Sequence, residues 1–467
     1  MNNHKPYTKY KPSGIAWLGD IPEHWDTMRL KYIFQIQKRI ADELGYDVLS
    51  ITHNGIKIKD ISSGAGQLAM DYSKYQRIYS GEFGMNHMDL LTGYVDISKF
   101  DGVTSPDYRV FSLIEHNSDK EYLLRLLQLC YKQKIFYAEG QGAAQFGRWR
   151  MPSDNFKNFQ FPIPSKKEQT AIANFIDYKL AKIDRFIRKK KQLIKLLNEQ
   201  KASIINQAVT KGLDPNAKMK PSGIEWLGDI PEHWEIVKLS GVCDFVRGNS
   251  SFKKDELLSN GKFVALQYGK TYKVDEVNEE YQFYINDEFY KDSQTVDFGD
   301  VIIISTSETI EDLGHSVFYN RLDLGLLGGE QILLRPKNDV VNGKYLCYSS
   351  KIFANELKKH ATGVKVYRFN INDLKTIYTP IPSIEEQLQI VGYIEKETAK
   401  LNQTITTIEK EIALVEEYKT ALIAEAVTGK IDVRDFEIPN TLEEESEEVF
   451  EVEQNGKAED IDEMGIE

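Results

Sequence analysis

The sequence is poor in cysteine and has no long apolar run. Its three cysteines, Cys130, Cys243 and Cys347, are widely separated among 467 residues and form no Cys-x-x-Cys pair. This spacing argues against a disulfide framework or a zinc site and is typical of a reducing compartment. No segment approaches the roughly 18 apolar residues that a membrane-spanning helix needs, and the first residues lack the apolar core of a signal peptide. We therefore expect a soluble, cytoplasmic protein with no membrane partner.

Catalytic signatures are also missing from the sequence. It contains no GxxxxGK[S/T] phosphate-binding loop, no NPP[F/Y]-like methyltransferase tetrad, no glycine-rich dinucleotide turn and no HExxH motif. Acidic residues such as Glu308 and Glu311 are not spaced like the ligands of a metal-dependent nuclease. We expect neither a catalytic site nor a metal site, so that chemistry would belong to partner proteins. The alternative is an enzyme without a recognisable motif, and methyl transfer by the purified chain alone would establish it.

Negative charge, which would oppose DNA binding, is concentrated at the C-terminal end. The formal net charge of the chain is −12, but residues 431–467 contain 15 acidic and 2 basic residues. The preceding 430 residues contain 57 basic and 56 acidic residues, a net charge of +1. The segment 431–467 has few core-forming residues, which predicts an acidic disordered tail. The overall acidity therefore does not exclude a nucleic-acid partner.

Two segments of the sequence occur twice, in the same order. KPSGIAWLGDIPEHW (11–25) returns as KPSGIEWLGDIPEHW (220–234) with an offset of 209 residues, and PIPSKKEQ (162–169) returns as PIPSIEEQ (380–387) with an offset of 218. Solenoid units repeat every ~20–50 residues, so this period indicates a duplicated domain. The turn residues and tryptophans of the first segment predict an irregular arm held by buried aromatic rings.

Each copy combines a mixed domain with one long helix. In the first copy, β-prone runs at 48–52 and 108–114 accompany one helical run at 119–136. In the second, apolar runs at 301–304 and 332–336 predict buried strands, and 343–357 predicts a helix. The chain divides into a first domain with its N-terminal arm (1–165), a first long helix (166–211), a second domain (212–383), a second long helix (384–430) and the acidic tail (431–467).

The two long helices carry an apolar stripe with a sustained three- and four-residue spacing, which predicts a coiled-coil seam in each. Ser165 and Ser383 precede Glu and Gln at capping-box spacing, and Gly212 and Gly429 supply the helix ends. A helix with one apolar face needs a partner. The other long helix is the simplest one, because segments 166–211 and 384–430 carry net charges of +8 and −4. Helices of another protein are the alternative, and both pairings can hold on different faces.

The helix-pairing and partner-docking positions share this apolar spacing. They are Ile176, Leu180, Ile183, Ile187, Ile194, Leu197 and Ile204 in the first helix and Ile394, Leu401, Ile405, Ile408, Ile412, Val415 and Leu422 in the second. We expect an α+β fold in which two globular domains are separated by two long antiparallel coiled-coil helices with pseudo-two-fold symmetry. Two readers held apart in this way would contact two DNA half-sites about one helical turn (~34–36 Å) or somewhat more apart. The half-sites would differ because the domain sequences differ.

The order of these segments resembles the specificity subunit of type I restriction-modification systems. An arm ending in IPEHW, a variable domain, a P-I-P-S-x-x-E-Q helix start and a helix end (AVTKGLD at 208–214, AVTGKID at 426–432) all occur twice, over nearly the whole chain up to about Asp432. GEFGMNHMDLLTGYVDIS (81–98) and GVTSPDYRV (102–110) also resemble a recurrent recognition-domain pattern. The second domain departs from that pattern with DFGDVIIIS (297–305), as unlike half-sites would require.

The resemblance implies two target-recognition domains, a split double-stranded DNA target, and docking of methyltransferase subunits and restriction (nuclease-translocase) subunits. It implies no cofactor on this chain, with S-adenosylmethionine, ATP and magnesium bound by those partners. A close variant is an orphan or phase-variable specificity subunit. A protein-interaction scaffold whose domains bind peptides is the alternative from another class. Residues 212–383 contain 20 basic and 25 acidic residues, so we expect tight DNA binding only with the methyltransferase partners.

An aromatic–arginine pair recurs shortly before each long helix. By the offset of 218 residues, Trp149-Arg150 corresponds to Tyr367-Arg368, and flexible glycine-containing segments precede both pairs. Arginine can contact phosphate or guanine edges while the ring packs beneath it, although a surface arginine on a packed ring is an equally ordinary structural feature. The candidate DNA-binding residues are Gln145, Arg148, Trp149, Arg150, Lys365, Tyr367, Arg368 and Asn370.

Overall fold

A computed structural model describes residues 5–61, 69, 71–142, 149–363 and 365–438. The fold divides into two compact units, the first consisting of Met1–Lys189 with Glu411–Glu467 and the second of Lys190–Lys410. Each unit therefore contains one mixed domain, the beginning of one long helix and the end of the other. Most of the predicted acidic tail lies outside the described residues. Among the described helices, none is both long and apolar enough to span a membrane.

The first unit is built on an antiparallel sheet of order β4-β11-β8-β9. Its strands are β1 (Tyr10–Pro12), β2 (Asp20–Pro22), β3 (Asp26–Arg29), β4 (Phe34–Gln37), β5 (Leu49–Thr52), β6 (Gly55–Ile58), β7 (Gln76–Ile78), β8 (Phe83–Met85), β9 (Val95–Ile97), β10 (Gly102–Thr104), β11 (Arg109–Leu113) and β12 (Gln160–Ile163). Its helices are α1 (Leu30–Ile33), α2 (Lys120–Lys132), α3 (Ile135–Ala138), α4 (Ser153–Asn158) and the first part of α5 (Lys166–Lys211). Phe83 and Phe111 stack within its core, 5.2 Å apart.

The single helix predicted at 119–136 is wrong in its second half. Asp119 caps α2 by accepting hydrogen bonds from the N–H groups of Glu121 and Tyr122. The helix ends at Lys132, because Lys134 has a left-handed backbone (φ 56°) that an α-helix cannot contain. α3 then begins in a new direction and places Phe136 in the core, edge-to-face with Tyr131.

The second unit repeats this plan around a five-stranded sheet of order β16-β25-β21-β23-β18 and adds a four-stranded sheet of order β19-β17-β24-β20. Its strands are β13 (Met219–Pro221), β14 (Asp229–Pro231), β15 (Glu235–Lys238), β16 (Cys243–Arg247), β17 (Phe263–Leu266), β18 (Glu276–Val277), β19 (Tyr284–Ile285), β20 (Thr295–Val296), β21 (Val301–Ile304), β22 (Thr306–Ser307), β23 (Ser316–Tyr319), β24 (Gly325–Leu327), β25 (Gln331–Pro336), β26 (Tyr367–Arg368) and β27 (Tyr378–Ile381). Its helices are α6 (Leu239–Val242), α7 (Tyr268–Thr271), α8 (Gly343–Lys359), α9 (Ile371–Leu374) and the first part of α10 (Ile384–Val427).

Within each unit the two long helices pack in antiparallel fashion. In the first unit, Ile176 near the start of α5 shares a core with Leu422 near the end of α10, and Lys419 Nζ lies 2.6 Å from Asp184 Oδ1. In the second unit, Val209 at the end of α5 shares a core with Ile394 near the start of α10. The start of one helix thus meets the end of the other in both units, which confirms the predicted antiparallel pairing.

The N-terminal arm is more regular than the sequence suggests. Its two halves form the ladder β1–β2, which pairs Tyr10 with Pro22 and Pro12 with Asp20. The second arm repeats this ladder as β13–β14. Trp25 and Trp234 are fully buried, in agreement with the expected aromatic anchoring. The prediction of an irregular segment is wrong because the turn residues close a tight connection between two short strands.

The capping box predicted at each long helix forms only in part. The N–H of Glu386 donates to Ser383 Oγ at 3.2 Å, and the corresponding N–H of Glu168 lies 3.4 Å from Ser165 Oγ. The glutamate side chains do not fold back on the serines. They reach the arms instead: the indole N–H of Trp25 donates to Glu168 Oε1 at 2.9 Å and that of Trp234 to Glu386 Oε1 at 3.0 Å.

Candidate nucleic-acid interface

Both units leave the same three strand ends at one edge of their main sheet. In the first unit β4 ends at Gln37, opposite Val110, while β8 ends at Met85, opposite Arg109. In the second unit β16 ends at Arg247, opposite Ile332, and β21 ends at Ile304, opposite Gln331. The loops that leave these strands therefore start from one edge, called here the strand edge of each unit.

An arginine-bearing hairpin is attached to the strand edge of the first unit. Gln141 and Arg150 form an antiparallel bridge with N–H to carbonyl distances of 2.8 and 3.1 Å. The next residue, Met151, donates its N–H to the carbonyl of His87, just beyond β8. Trp149 stacks on Tyr137 with 5.3 Å between ring centroids, whereas Arg150 is exposed. The candidates Gln145 and Arg148 lie outside the described residues.

The second unit attaches a shorter hairpin in the same way. Thr362 and Arg368 form the bridge, with both N–H to carbonyl distances at 3.0 Å. Phe369 donates its N–H to the carbonyl of Ser305, which follows β21. The pair Tyr367–Arg368 forms strand β26 against β22, with Tyr367 half-buried and Arg368 exposed.

Two other candidates belong to this second hairpin region. Lys365 is exposed within the hairpin. Asn370 is also exposed but already has a structural task, because its side chain accepts a hydrogen bond from the N–H of Asn372 and caps α9. The two hairpins are equivalent by position, since Met151 and Phe369 are separated by the same offset of 218 residues as the two arginines.

A second cluster of basic and aromatic residues lies at the strand edge of the first unit, and the sequence reasoning missed it. The Arg77 guanidinium lies 3.7 Å from the ring centroid of Tyr46 and 5.3 Å from that of Tyr79. Arg39, which follows β4, lies 4.7 Å from the Tyr79 ring and is held by Glu82 at 2.6 Å. Stacked guanidinium groups keep their N–H edge for phosphate or guanine. No sequence spacing marks this cluster, because its members come from different loops.

The base of the first hairpin is electropositive. Arg109 is 4% exposed, donates to the Met151 carbonyl at 2.9 Å, and keeps a buried Nη1 without a hydrogen-bond partner among the described residues. Burial lowers the pKa of Arg109 to about 10, so it stays charged at neutral pH. Burial, together with the charges of Arg109 and Arg150, lowers the pKa of His87 to about 3 and leaves that imidazole neutral. The uncompensated positive charge near Arg150 favours an anionic ligand.

All fourteen helix-pairing candidates are buried or half-buried. Ile176, Ile187, Ile394, Ile408 and Leu422 belong to the buried residues, and the other nine are half-buried. The deepest position near the end of α5 is Ile205, one residue after the candidate Ile204, because an α-helix drifts relative to a strict 3.5-residue repeat. Within the described parts of the chain, no group of three or more His, Cys, Asp or Glu side chains could hold a metal ion.

Comparisons with known proteins point in one direction. Residues 22–196 and 231–414 each match the family model described as "Type I restriction modification DNA specificity domain". The chain is 25% identical over 441 residues to the putative type I restriction enzyme MjaX specificity subunit of Methanocaldococcus jannaschii, covering 89% of this chain and 96% of the relative. It is 23% identical over 435 residues to the MjaVIII specificity subunit of the same organism, covering 89% and 95%.

A solved structure shares the fold. It comes from work on the structural basis of complex assembly and conformational transition of the type I R-M system, and it covers 88% of this chain and 99% of its own length with a TM-score of 0.62. At 17% sequence identity, this similarity concerns the fold alone.

Proposed function

The chain belongs to the type I restriction modification DNA specificity family, and from this premise we propose that its two hairpins contact the two halves of a bipartite DNA target. The family domain occurs twice, at residues 22–196 and 231–414, and together these segments span most of the chain. The protein is accordingly a DNA-recognition subunit. The finer proposal concerns where each domain touches DNA and which partners complete the complex.

One observation carries the proposal about the hairpins. Two domains that differ in sequence and sheet size present an exposed arginine from the same place, fixed by equivalent hydrogen bonds from Met151 to His87 and from Phe369 to Ser305. A position held in both domains suits a shared contact, such as a phosphate. The different surroundings of Arg150 and Arg368 suit different bases.

We further propose that the chain acts without its own catalytic site. Methyl transfer and DNA cleavage would then belong to methyltransferase and restriction subunits, and S-adenosylmethionine, ATP and magnesium to those subunits. The long helices offer a surface for such docking, because Leu196 of α5 and Leu414 of α10 are 60% and 65% exposed. They occupy equivalent positions, 218 residues apart, away from the buried seam. Two equivalent exposed leucines suit two copies of one partner.

The test of the hairpins compares arginine variants on the duplex that the chain recognises, first identified by sequencing the methylated sites of a host that carries it with its partners. Arg150→Ala and Arg368→Ala should each lower affinity by roughly 5- to 150-fold if the arginine contacts a base, because a bidentate contact contributes about 1–3 kcal/mol. A phosphate contact would instead lower the slope of log affinity against log salt by about 1. Fluorescence anisotropy measures both effects.

Matched controls come from the opposite edge of each sheet. Lys99 follows β9, whose end pairs with the beginning of β8, and Lys337 follows the end of β25. Lys99→Ala and Lys337→Ala should leave affinity within about twofold. Unchanged affinity of both arginine variants on the recognised duplex would remove the hairpins from the interface.

A further inference from the structure

A cleft of about 340 Å³ opens at the strand edge of the second unit. Its lining includes Arg247 at the end of β16, Gln267 and Tyr268 after β17, and the turn 328–330 before β25. The cleft adjoins the arginine hairpin, because the Ser305 N–H donates to the Glu330 carbonyl at 3.0 Å. It therefore lies where the second domain would meet DNA.

The backbone around this cleft has a constrained shape. A Cβ atom at Gly248 would lie 1.8 Å from the Gly328 carbonyl oxygen, so only glycine fits there. The Gly329 N–H donates to the Ser250 carbonyl at 2.6 Å and joins the two sides. Glu330 has a left-handed backbone (φ 63°), which is unusual for a residue other than glycine. Strain of this kind persists where the surroundings fix it and is concentrated at binding sites.

The polar groups of the cleft are incompletely paired. Ser250 lines it, is 5% exposed, and has a buried Oγ without a hydrogen-bond partner among the described residues. Directly after the turn, Gln331 is fully buried and its Oε1 likewise has no partner there. The exposed side chains of Arg247 and Glu330 make no hydrogen bond or ion pair within the described part of the chain, with each other or with other residues. Buried polar atoms without partners are costly, which indicates a site shaped for a polar ligand.

The chemistry of these side chains selects one base pair. Arginine forms a bidentate contact with O6 and N7 of guanine, and glutamate accepts a hydrogen bond from N4 of cytosine, so a G·C pair satisfies both at its major-groove edge. Resting on the proposed function, we propose that this cleft reads one G·C pair in the half-site of the second domain, with Arg247 on guanine and Glu330 on cytosine. By the offset of 209 residues the first domain has Lys38 in place of Arg247. A lysine ammonium cannot form the bidentate contact, so the two domains read this position differently.

The test is a selection from a random duplex DNA library by the full-length chain at low salt, where electrostatic attraction supports binding without partners. The wild-type chain should enrich two unlike short sequences at a fixed spacing. Arg247→Ala should make one G·C position of one half-site degenerate, with roughly a 5- to 150-fold loss of preference, and leave the other half-site unchanged. Arg247→Lys keeps the positive charge and should lose the same preference. Glu330→Gln should relax the same position.

Two results would contradict the inference. The first is enrichment of the same bases by the wild-type chain and by all three variants. The second is loss of both half-sites by Arg247→Ala while its melting temperature is unchanged, since a base contact in one domain cannot erase the other domain's preference. If the wild-type chain enriches no sequence at all, the proposed function itself fails, so the two failures are distinguishable.

Discussion

At the scale of single residues, one buried glutamate joins three parts of the first unit. Glu168 is 5% exposed and accepts hydrogen bonds from the Tyr7 hydroxyl at 2.7 Å and from the Trp25 indole at 2.9 Å. His24 Nε2 lies 3.0 Å from its other oxygen. Hydrogen bonding to this carboxylate helps to raise the pKa of Tyr7 above its ordinary value, second to burial of the ring. The start of α5 is thereby fixed to the N-terminal arm.

We expect Glu168→Ala to lower the free energy of unfolding by about 1.5–3 kcal/mol, because buried donors lose a charged acceptor. Glu386→Ala is the matched comparison in the second unit, where the glutamate side chain is 24% exposed and receives Trp234 and His233 without a tyrosine. Its effect should be smaller. Urea denaturation followed by tryptophan fluorescence measures both variants, and an equal or larger loss for Glu386→Ala would refute the proposed role of burial.

Sequence reasoning succeeded and failed at this scale for physical reasons. Glu168 was placed correctly near a helix start by its capping-box spacing, but its partners Trp25 and Tyr7 are more than 140 residues away in the sequence. Local spacing carries no information about such contacts. The same limit applies to Arg77 and Tyr46, which approach to 3.7 Å from separate loops. The positions of Arg150 and Arg368 could be anticipated because the duplication aligns them, although their contact with DNA stays a prediction.

At the scale of elements, each long helix ends on a glycine that faces the arm. Gly429 has φ 76°, and a Cβ atom there would lie 2.4 Å from Pro22 Cδ. Gly212 has φ 73°, and its Cβ would lie 3.2 Å from the Trp234 ring. Both glycines were predicted from the sequence, because a left-handed residue commonly ends a helix. The break at Lys134 could not be predicted in this way, because lysine is an uncommon residue in a left-handed conformation.

Alanine at these two glycines should separate backbone strain from steric contact. The left-handed backbone alone costs about 1–2 kcal/mol for alanine, so Gly212→Ala should destabilise the protein by about that amount. Gly429→Ala should destabilise it further, because the arm must also move away from the new methyl group. Thermal unfolding of the two variants provides the measurement. Equal melting temperatures would show that the Pro22 contact relaxes without cost.

The exposed leucines of the long helices give a second prediction at this scale. Leu196→Asp and Leu414→Asp should weaken capture of the methyltransferase subunits at least tenfold and leave the melting temperature within about 2 °C, because exposed residues contribute little to folding. Leu197→Asp is the matched control, since that neighbouring side chain is half-buried and its substitution should lower stability instead. Co-purification with the partners encoded beside the chain measures capture. Full capture by both exposed-leucine variants would place the docking surface elsewhere.

At the scale of the whole molecule, duplication explains most of what the sequence predicts. Repeated anchors at the arms and helix starts located two mixed domains and two long helices, and the long periodic segments gave an unambiguous helical pattern. The sheets were less accessible, because strands as short as two residues, such as Thr306–Ser307 and Tyr367–Arg368, form only through pairing with each other. The added four-stranded sheet of the second unit has no counterpart in the first and could not be inferred from the repeat.

The central claim is that one chain carries two unlike DNA readers, one in each unit. The most direct measurement is sequencing of the methylated sites in a host that lacks other modification systems and expresses this chain with its methyltransferase partners. The claim predicts one motif composed of two different short sequences separated by an unread gap of fixed length. A chimera that carries the first domain twice should then yield a motif with two copies of one half. A single continuous motif, or a motif that does not change in the chimera, would contradict the claim.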